Sequence, residues 1–156
     1  MVIVISEVMK TFTSFAALLF IASVAAQNPN PRIGKWKLKQ DAPPPASNIM
    51  TYEAVAGGMK VTVDSVSASG QKSHWTYTTM LDGKDVPITG YSTADTAAVT
   101  VVNATTNEIV YKKGGTIAQL ATNVISADGQ TITVTFNRTN AQGQPVTTVA
   151  VYEKMP

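Results

Sequence analysis

The clearest pattern in the chain is an alternation of apolar and polar positions in its second half. Ile132, Val134 and Phe136 are interleaved with three threonines over 131–136. Successive side chains of a β-strand point to opposite faces, so this pattern predicts a strand with one face toward a core and the other toward water. The stretch 145–154 alternates in the same way.

Ten short segments rich in valine, isoleucine, threonine and aromatic residues follow one another along the chain, separated by glycine-containing turns. The predicted strands are 33–40, 49–56, 59–66, 72–81, 84–89, 97–103, 108–113, 116–126, 130–138 and 145–154. No window after Ala26 keeps apolar residues at helical spacing for three turns. The sequence therefore predicts an all-β domain.

The number of strands favours a closed sheet, because a long open meander would leave edge strands exposed. We predict one domain over 33–156, an antiparallel up-and-down β-barrel of about ten strands. A two-sheet β-sandwich is the alternative. A proline-rich leader at 27–32 precedes the predicted domain.

The N-terminal stretch has the pattern of a secretory signal. Lys10 precedes an apolar run at 15–22, and small residues follow it. We predict that 1–26 is a signal peptide cleaved after Ala26 or one residue earlier, with Met9 as an alternative start. The apolar run is shorter than the roughly 20 residues of a spanning helix, so no membrane anchor is expected after cleavage. The protein is predicted to be exported, either periplasmic or extracellular.

Composition removes several classes of function. The chain has no cysteine, so disulfides cannot stabilise an exported domain, and a packed core with closed strand ladders must do so. Twelve basic and ten acidic residues nearly balance, and Lys35, Lys37 and Lys39 are spaced rather than clustered. A nucleic-acid partner is therefore not expected.

The residues that usually carry catalysis are scarce. His74 is the only histidine, so neither a catalytic triad nor a transition-metal site has enough side chains of the required types. A hydrolase or isomerase would need His74 beside a carboxylate inside a pocket. We expect no enzyme activity, no metal and no cofactor.

The first predicted strand contains Gly34-Lys35-Trp36, and Gly-x-Trp on an opening strand resembles the signature of the calycin superfamily, which includes the lipocalins and fatty-acid-binding proteins. The rest of the chain resembles bacterial exported lipocalin-like proteins. The resemblance implies that Gly34 and Trp36 close one end of a barrel, with a basic side chain from a late strand packed on the tryptophan. Arg138, at the end of the ninth predicted strand, is the candidate for that role.

The last strand also resembles the closing strand of fatty-acid-binding proteins, with Tyr152 at the matching tyrosine. Two differences matter. The link 41–48 is short and carries three prolines at 43–45, which leaves no room for that family's helical lid. Ala150 stands where the family has a carboxylate-binding arginine, two residues before the tyrosine. Fatty-acid capture by that arginine is therefore not implied.

Two functional hypotheses follow. The first is an exported binding or carrier module for a small apolar or amphipathic ligand, since barrels of this size can hold one. The alternative is a structural or interaction protein whose barrel is filled by side chains. An interior void of several hundred cubic ångström favours the first. The candidate pocket residues are His74, Trp75, Tyr77, Tyr111, Phe136 and Tyr152.

Overall fold

The computed structural model describes residues 30–40, 44 and 46–156. The predicted signal segment and residues 27–29 of the predicted leader lie outside the described residues. The described part of the chain contains ten strands and no helix, and so no helix that is long and apolar enough to cross a membrane. The strands are β1 Gly34–Leu38, β2 Ser47–Val55, β3 Gly58–Val66, β4 Lys72–Thr79, β5 Asp82–Pro87, β6 Thr96–Val101, β7 Thr106–Lys113, β8 Thr116–Ile125, β9 Thr131–Thr139 and β10 Pro145–Lys154.

All ten strands belong to one antiparallel sheet, in which each strand pairs with its neighbours along the chain and β1 also pairs with β10. The sheet is nearly closed. Its last two strands in the order, β4 and β5, are not paired with each other, but an isolated bridge joins Thr76 of β4 to Thr89, two residues after β5 ends. The prediction of an all-β, up-and-down barrel is confirmed. The strands do not divide into the two sheets of a sandwich.

The antiparallel order gives the barrel two different ends. The Trp36 end contains the segment 30–33 and the turns that follow β2, β4, β6 and β8. The open end contains the link after β1 and the turns that follow β3, β5, β7 and β9. The position of an inward side chain along its strand therefore tells whether it lies near the Trp36 end, in the middle or near the open end of the barrel.

The core consists of the inward faces of the strands. Ile132 and Val134 of β9 are buried, as their alternation with threonine predicts. In β10 the inward residue is Tyr152, which pairs with Ile132, whereas Val149 pairs with Thr135 and is 61% exposed. Paired residues of neighbouring strands share a face, so the register turns Val149 and Val151 of β10 outward.

The fourth strand is shorter than predicted. It ends at Thr79, and Leu81 has a positive φ of 61°, so the chain has already entered the turn to β5 at that point. The backbone N–H of Leu81 donates a hydrogen bond to Thr79 Oγ1 at 3.0 Å, which holds this turn. Leu81 therefore lies beyond the ladder at the Trp36 end.

Trp36 is fully buried, with 0% of its surface exposed. Its indole Nε1 donates a hydrogen bond to the carbonyl oxygen of Arg32 at 2.8 Å, and Lys154 Nζ lies 5.3 Å from the ring centroid. Arg32 is itself 2% exposed. Residues assigned to the leader from the sequence are therefore part of the packed domain, and the predicted boundary at 33 was wrong.

The prediction that Arg138 packs on Trp36 was also wrong. Arg138 is exposed and pairs with Val146, whereas Trp36 pairs with Lys154. Val146 and Lys154 are separated by about 26 Å along β10 at roughly 3.3 Å per residue. Because β9 begins at the Trp36 end, its last residues lie at the open end, and the arginine beside Trp36 comes from the segment before β1.

Truncation of the tryptophan tests this closure. We expect Trp36→Ala to lower the free energy of unfolding by roughly 3–5 kcal/mol, because it leaves a large cavity and removes the indole hydrogen bond. Urea denaturation followed by circular dichroism measures the change. Val149→Ala on the outer face is the control and is expected to stay within about 0.5 kcal/mol of the parent. Equal effects of the two substitutions would contradict the proposed role of Trp36.

Candidate functional site

The middle of the barrel is filled by side chains. The cavity between the inward residues of β2, β3, β4, β7, β8, β9 and β10 has a volume of only about 40 Å³. One water molecule occupies about 30 Å³ in the liquid, so this space is far below the size of an organic ligand. Tyr52, Tyr77 and Tyr111 occupy much of the interior and are almost completely buried.

A larger cleft lies at the open end. Its volume is about 470 Å³, and Leu38, Trp75, Phe136 and Tyr152 form part of its lining. Leu38 ends β1 and pairs with Tyr152 of β10, while Trp75 and Phe136 lie in the open-end halves of β4 and β9. Strand direction and the early end of β1 bring these residues to the same opening. This open-end cleft has the size of a small-molecule site.

Four aromatic residues form one wall that runs from the cleft into the interior. Trp75 stacks on Tyr91 with ring centroids 4.6 Å apart and an interplanar angle of 25°, and on Tyr77 at 6.1 Å. Tyr111 meets Trp75 edge to face at 6.5 Å and Tyr91 at 5.9 Å. Such contacts add to the energy of area burial, so the rings hold one another in place.

Tyr91 reaches the cleft because of a backbone constraint in the loop between β5 and β6. Gly90 has a φ of 84°, and a Cβ at this position would collide with the carbonyl oxygen of His74. Glycine alone allows the loop to lie this close to β4. Tyr91 was not among the predicted pocket residues. The only sequence signal for it is an aromatic residue directly after a loop glycine.

The lining of the open-end cleft contains no charged side chain within the described part of the chain. Its polar groups are neutral, and Tyr152 donates a hydrogen bond from its hydroxyl to Asn48 Oδ1 at 3.4 Å. The hydroxyls of Ser65 and Ser73 are 2.8 Å apart at the rim. The cleft therefore combines an aromatic wall with a few uncharged hydrogen-bonding groups.

Burial changes the acid–base behaviour of the tyrosines. Desolvation raises the pKa of Tyr77 to about 12 and that of Tyr152 to about 12. It also raises the pKa of Tyr52 and Tyr111 well above the usual value for a phenol. All four phenols are thus neutral near pH 7 and can act there as hydrogen-bond donors rather than as bases.

The predicted pocket residues do not all meet at the cleft. Trp75, Phe136 and Tyr152 line it, while Tyr77 and Tyr111 lie deeper among the packed side chains. His74 does not line the interior, because it alternates with Trp75 and faces outward. It is exposed, and its Nδ1 lies 2.7 Å from Asp64 Oδ1. The prediction for His74 was wrong.

The His74–Asp64 pair is therefore a solvent-exposed contact between two neighbouring strands, and it borders a surface depression of about 300 Å³ rather than the barrel interior. Among residues 30–40, 44 and 46–156, no group of three or more histidine or acidic side chains is arranged to hold a metal ion. A scan of the chain against protein-family models gives no match, and a search of curated proteins gives no significant match.

The buried tyrosines predict a loss of stability in alkali. Their pKa values in the folded state lie above the value near 10 of the unfolded chain, so the unfolded state loses protons first as the pH rises. The stabilisation is complete below pH 10 and decreases between pH 10 and about 12. Each such tyrosine contributes a slope of about 1.4 kcal/mol per pH unit in that window.

Urea denaturation at a series of alkaline pH values measures this slope. Tyr77→Phe keeps the ring and removes one ionising group, so its slope should be smaller by about 1.4 kcal/mol per pH unit. A substitution to alanine at exposed Val149 should leave the slope unchanged. A tyrosinate absorbance that appears near pH 10 in the folded parent and is missing in Tyr77→Phe would contradict this account.

Proposed function

We propose that the protein is an exported binding protein for a small, neutral, amphipathic molecule, which lies in the open-end cleft. The observation that carries the proposal is the charge-free, aromatic-walled cleft of about 470 Å³. A concave, mainly apolar site with a few convergent polar groups is the usual form of a small-molecule site. The filled interior limits the ligand to the mouth of the barrel.

The absence of charge in the described lining favours a neutral ligand. An ionised group that leaves water without a partner of opposite charge is strongly destabilised. Ala150 lies on the wall of the cleft, at the position where fatty-acid-binding proteins carry an arginine. A carboxylate would therefore find no cation in the described lining of the cleft. An uncharged molecule loses little hydration free energy when it enters.

The aromatic wall favours a ligand with a flat apolar part. Trp75 and Tyr91 are only partly buried, so their ring surfaces border the cleft. A planar group can stack on these rings, and the hydroxyl and amide groups of Ser65, Ser73 and Asn48 can bind its polar end. The proposed ligand thus has a flat apolar part at one end and a hydroxyl or carbonyl group at the other.

Two matched dyes test the proposal. N-phenyl-1-naphthylamine is neutral, and 1-anilinonaphthalene-8-sulfonate has the same rings with a negative charge. We expect the neutral dye to bind with enhanced fluorescence and the sulfonate to bind at least tenfold more weakly, a difference of about 1.4 kcal/mol. Equal affinities for the two dyes would contradict a neutral-ligand site.

Variants locate the dye. Tyr91→Ala and Phe136→Ala should each weaken binding of the neutral dye by roughly tenfold, because each removes an aromatic surface. Val124→Ala on the outer face is the matched control and should leave binding unchanged. Binding that is unaffected by either cleft variant would place the dye elsewhere on the protein.

A second candidate is a structural or interaction protein with a filled barrel. The small interior cavity favours it, and so do the exposed apolar side chains on the outer face of β8 and β10, including Leu120, Val124 and Val149. This candidate would be favoured over the first by two results together. Neutral aromatic molecules would fail to bind, and the protein would self-associate or capture a defined envelope component through these residues.

Export is the part of the proposal that rests on sequence alone. The apolar run at 15–22 and the small residues after it are the support. The intact mass of the protein from its own host should correspond to a chain that begins at Ala26 or Gln27. A mass that still includes the apolar run would contradict cleavage.

A further inference from the structure

A second cleft, of about 500 Å³, lies at the Trp36 end of the barrel. The segment 30–33, the turn between β2 and β3, Leu81 and the turn between β6 and β7 surround it. It shares no lining residue with the open-end cleft, and the packed middle of the barrel separates the two. Any ligand here would be independent of the proposed function.

A buried cation borders this Trp36-end cleft. Arg32 is 98% buried, and its guanidinium donates from Nε to Asn123 Oδ1 at 2.9 Å and from Nη2 to the carbonyl oxygens of Thr105 and Asn123 at 2.6 and 3.1 Å. All of these acceptors are neutral. No carboxylate of the described residues forms an ion pair with Arg32. The Nη1 atom of Arg32 makes no hydrogen bond to any described residue.

The lack of a counter-charge on Arg32 among the described residues is unusual, since buried charges are normally paired. Burial also lowers the pKa of Arg32 from its ordinary value, although a guanidinium remains protonated at neutral pH. An anion in the cleft would supply the missing negative charge. Nη1 is the donor that remains for it.

An unpaired acceptor lies just beneath the surface of the same cleft. Asn107 is 97% buried, and its side-chain Oδ1 has no hydrogen-bond partner among the residues that the structure describes. Asn107 is paired with Asn123 across β7 and β8, so it lies beside the side chain that holds Arg32. A buried polar atom without a partner costs about 1–3 kcal/mol, and a ligand that donates a hydrogen bond would remove this cost.

The remaining lining is largely apolar and includes Pro31, Ile33, Val55, Leu81 and Val101. The cleft therefore offers one cation, one acceptor and an apolar surface. We propose that it binds a small carboxylic acid that carries a neighbouring N–H or O–H donor and an apolar side chain. The carboxylate binds Nη1 of Arg32, and the apolar side chain contacts the apolar lining. The donor binds Oδ1 of Asn107 after a small displacement of the side chains that cover this atom. N-acylated amino acids and peptide C-termini belong to this class.

N-acetyl-L-leucine is a simple probe of this class, and two analogues each lack one of its recognised groups. N-acetyl-L-leucinamide has no negative charge, and 4-methylpentanoate has no N–H. We expect calorimetric titration to show that the acid binds, that the amide binds at least tenfold more weakly, and that 4-methylpentanoate binds about fivefold more weakly. The amide tests the role of Arg32 without a substitution that would also remove its bonds to Asn123.

A protein variant then tests the acceptor. Asn107→Leu has a similar volume, removes Oδ1 and should not lower the melting temperature, because the lost group is unpaired. In this variant N-acetyl-L-leucine should bind no better than 4-methylpentanoate. Phe136→Ala at the open-end cleft is the control and should leave the affinity for N-acetyl-L-leucine unchanged.

The proposal would be overturned if N-acetyl-L-leucine fails to bind at millimolar concentration or if the acid and its amide bind equally. A preference for the N–H group that persists in Asn107→Leu would overturn it as well. Loss of binding in Phe136→Ala would also overturn it, because the probe would then occupy the open-end cleft. The dyes do not enter this test, and Phe136→Ala serves in it only as a control, so the two sites succeed or fail separately.

Discussion

The pairing of β1 with β10 is the constraint on which the rest of the structure depends. The five residues of β1 are hydrogen-bonded to β2 on one side and to β10 on the other, which joins the two ends of the described chain. Without this short strand the sheet would have two more free edges and no enclosed core. Arg32 precedes β1 and stabilises this closure of the sheet. Its carbonyl oxygen accepts a hydrogen bond from the indole of Trp36, and its side chain donates to Asn123 of β8.

The same closure explains why both candidate sites lie at the ends. Tyrosines and a central polar network occupy the middle, where Asn123 donates to the hydroxyl of Tyr52 at 2.9 Å while accepting from Arg32. Filling of this kind gives the domain rigidity in the absence of disulfides.

Much of the fold was predictable because strand signals are local. Alternation with a period of two, frequent glycine turns and the lack of helical spacing located all ten strands to within a few residues. The aromatic residues of the site were partly predictable too, since Trp75, Phe136 and Tyr152 do line the open-end cleft. Tyr91 was missed because loop position depends on a close backbone approach at Gly90, which periodicity does not reveal.

Which residues share a face of a strand follows from backbone geometry alone, so the sequence was enough to predict it. In β10 both faces have apolar members, and which of them is inward depends on the register with the neighbouring strand, so it required the folded structure. Strand direction likewise decided that Arg138 lies at the open end and that Arg32 accompanies Trp36. The size of the interior was a tertiary result as well, because it depends on side chains that meet across the barrel from strands distant in the chain.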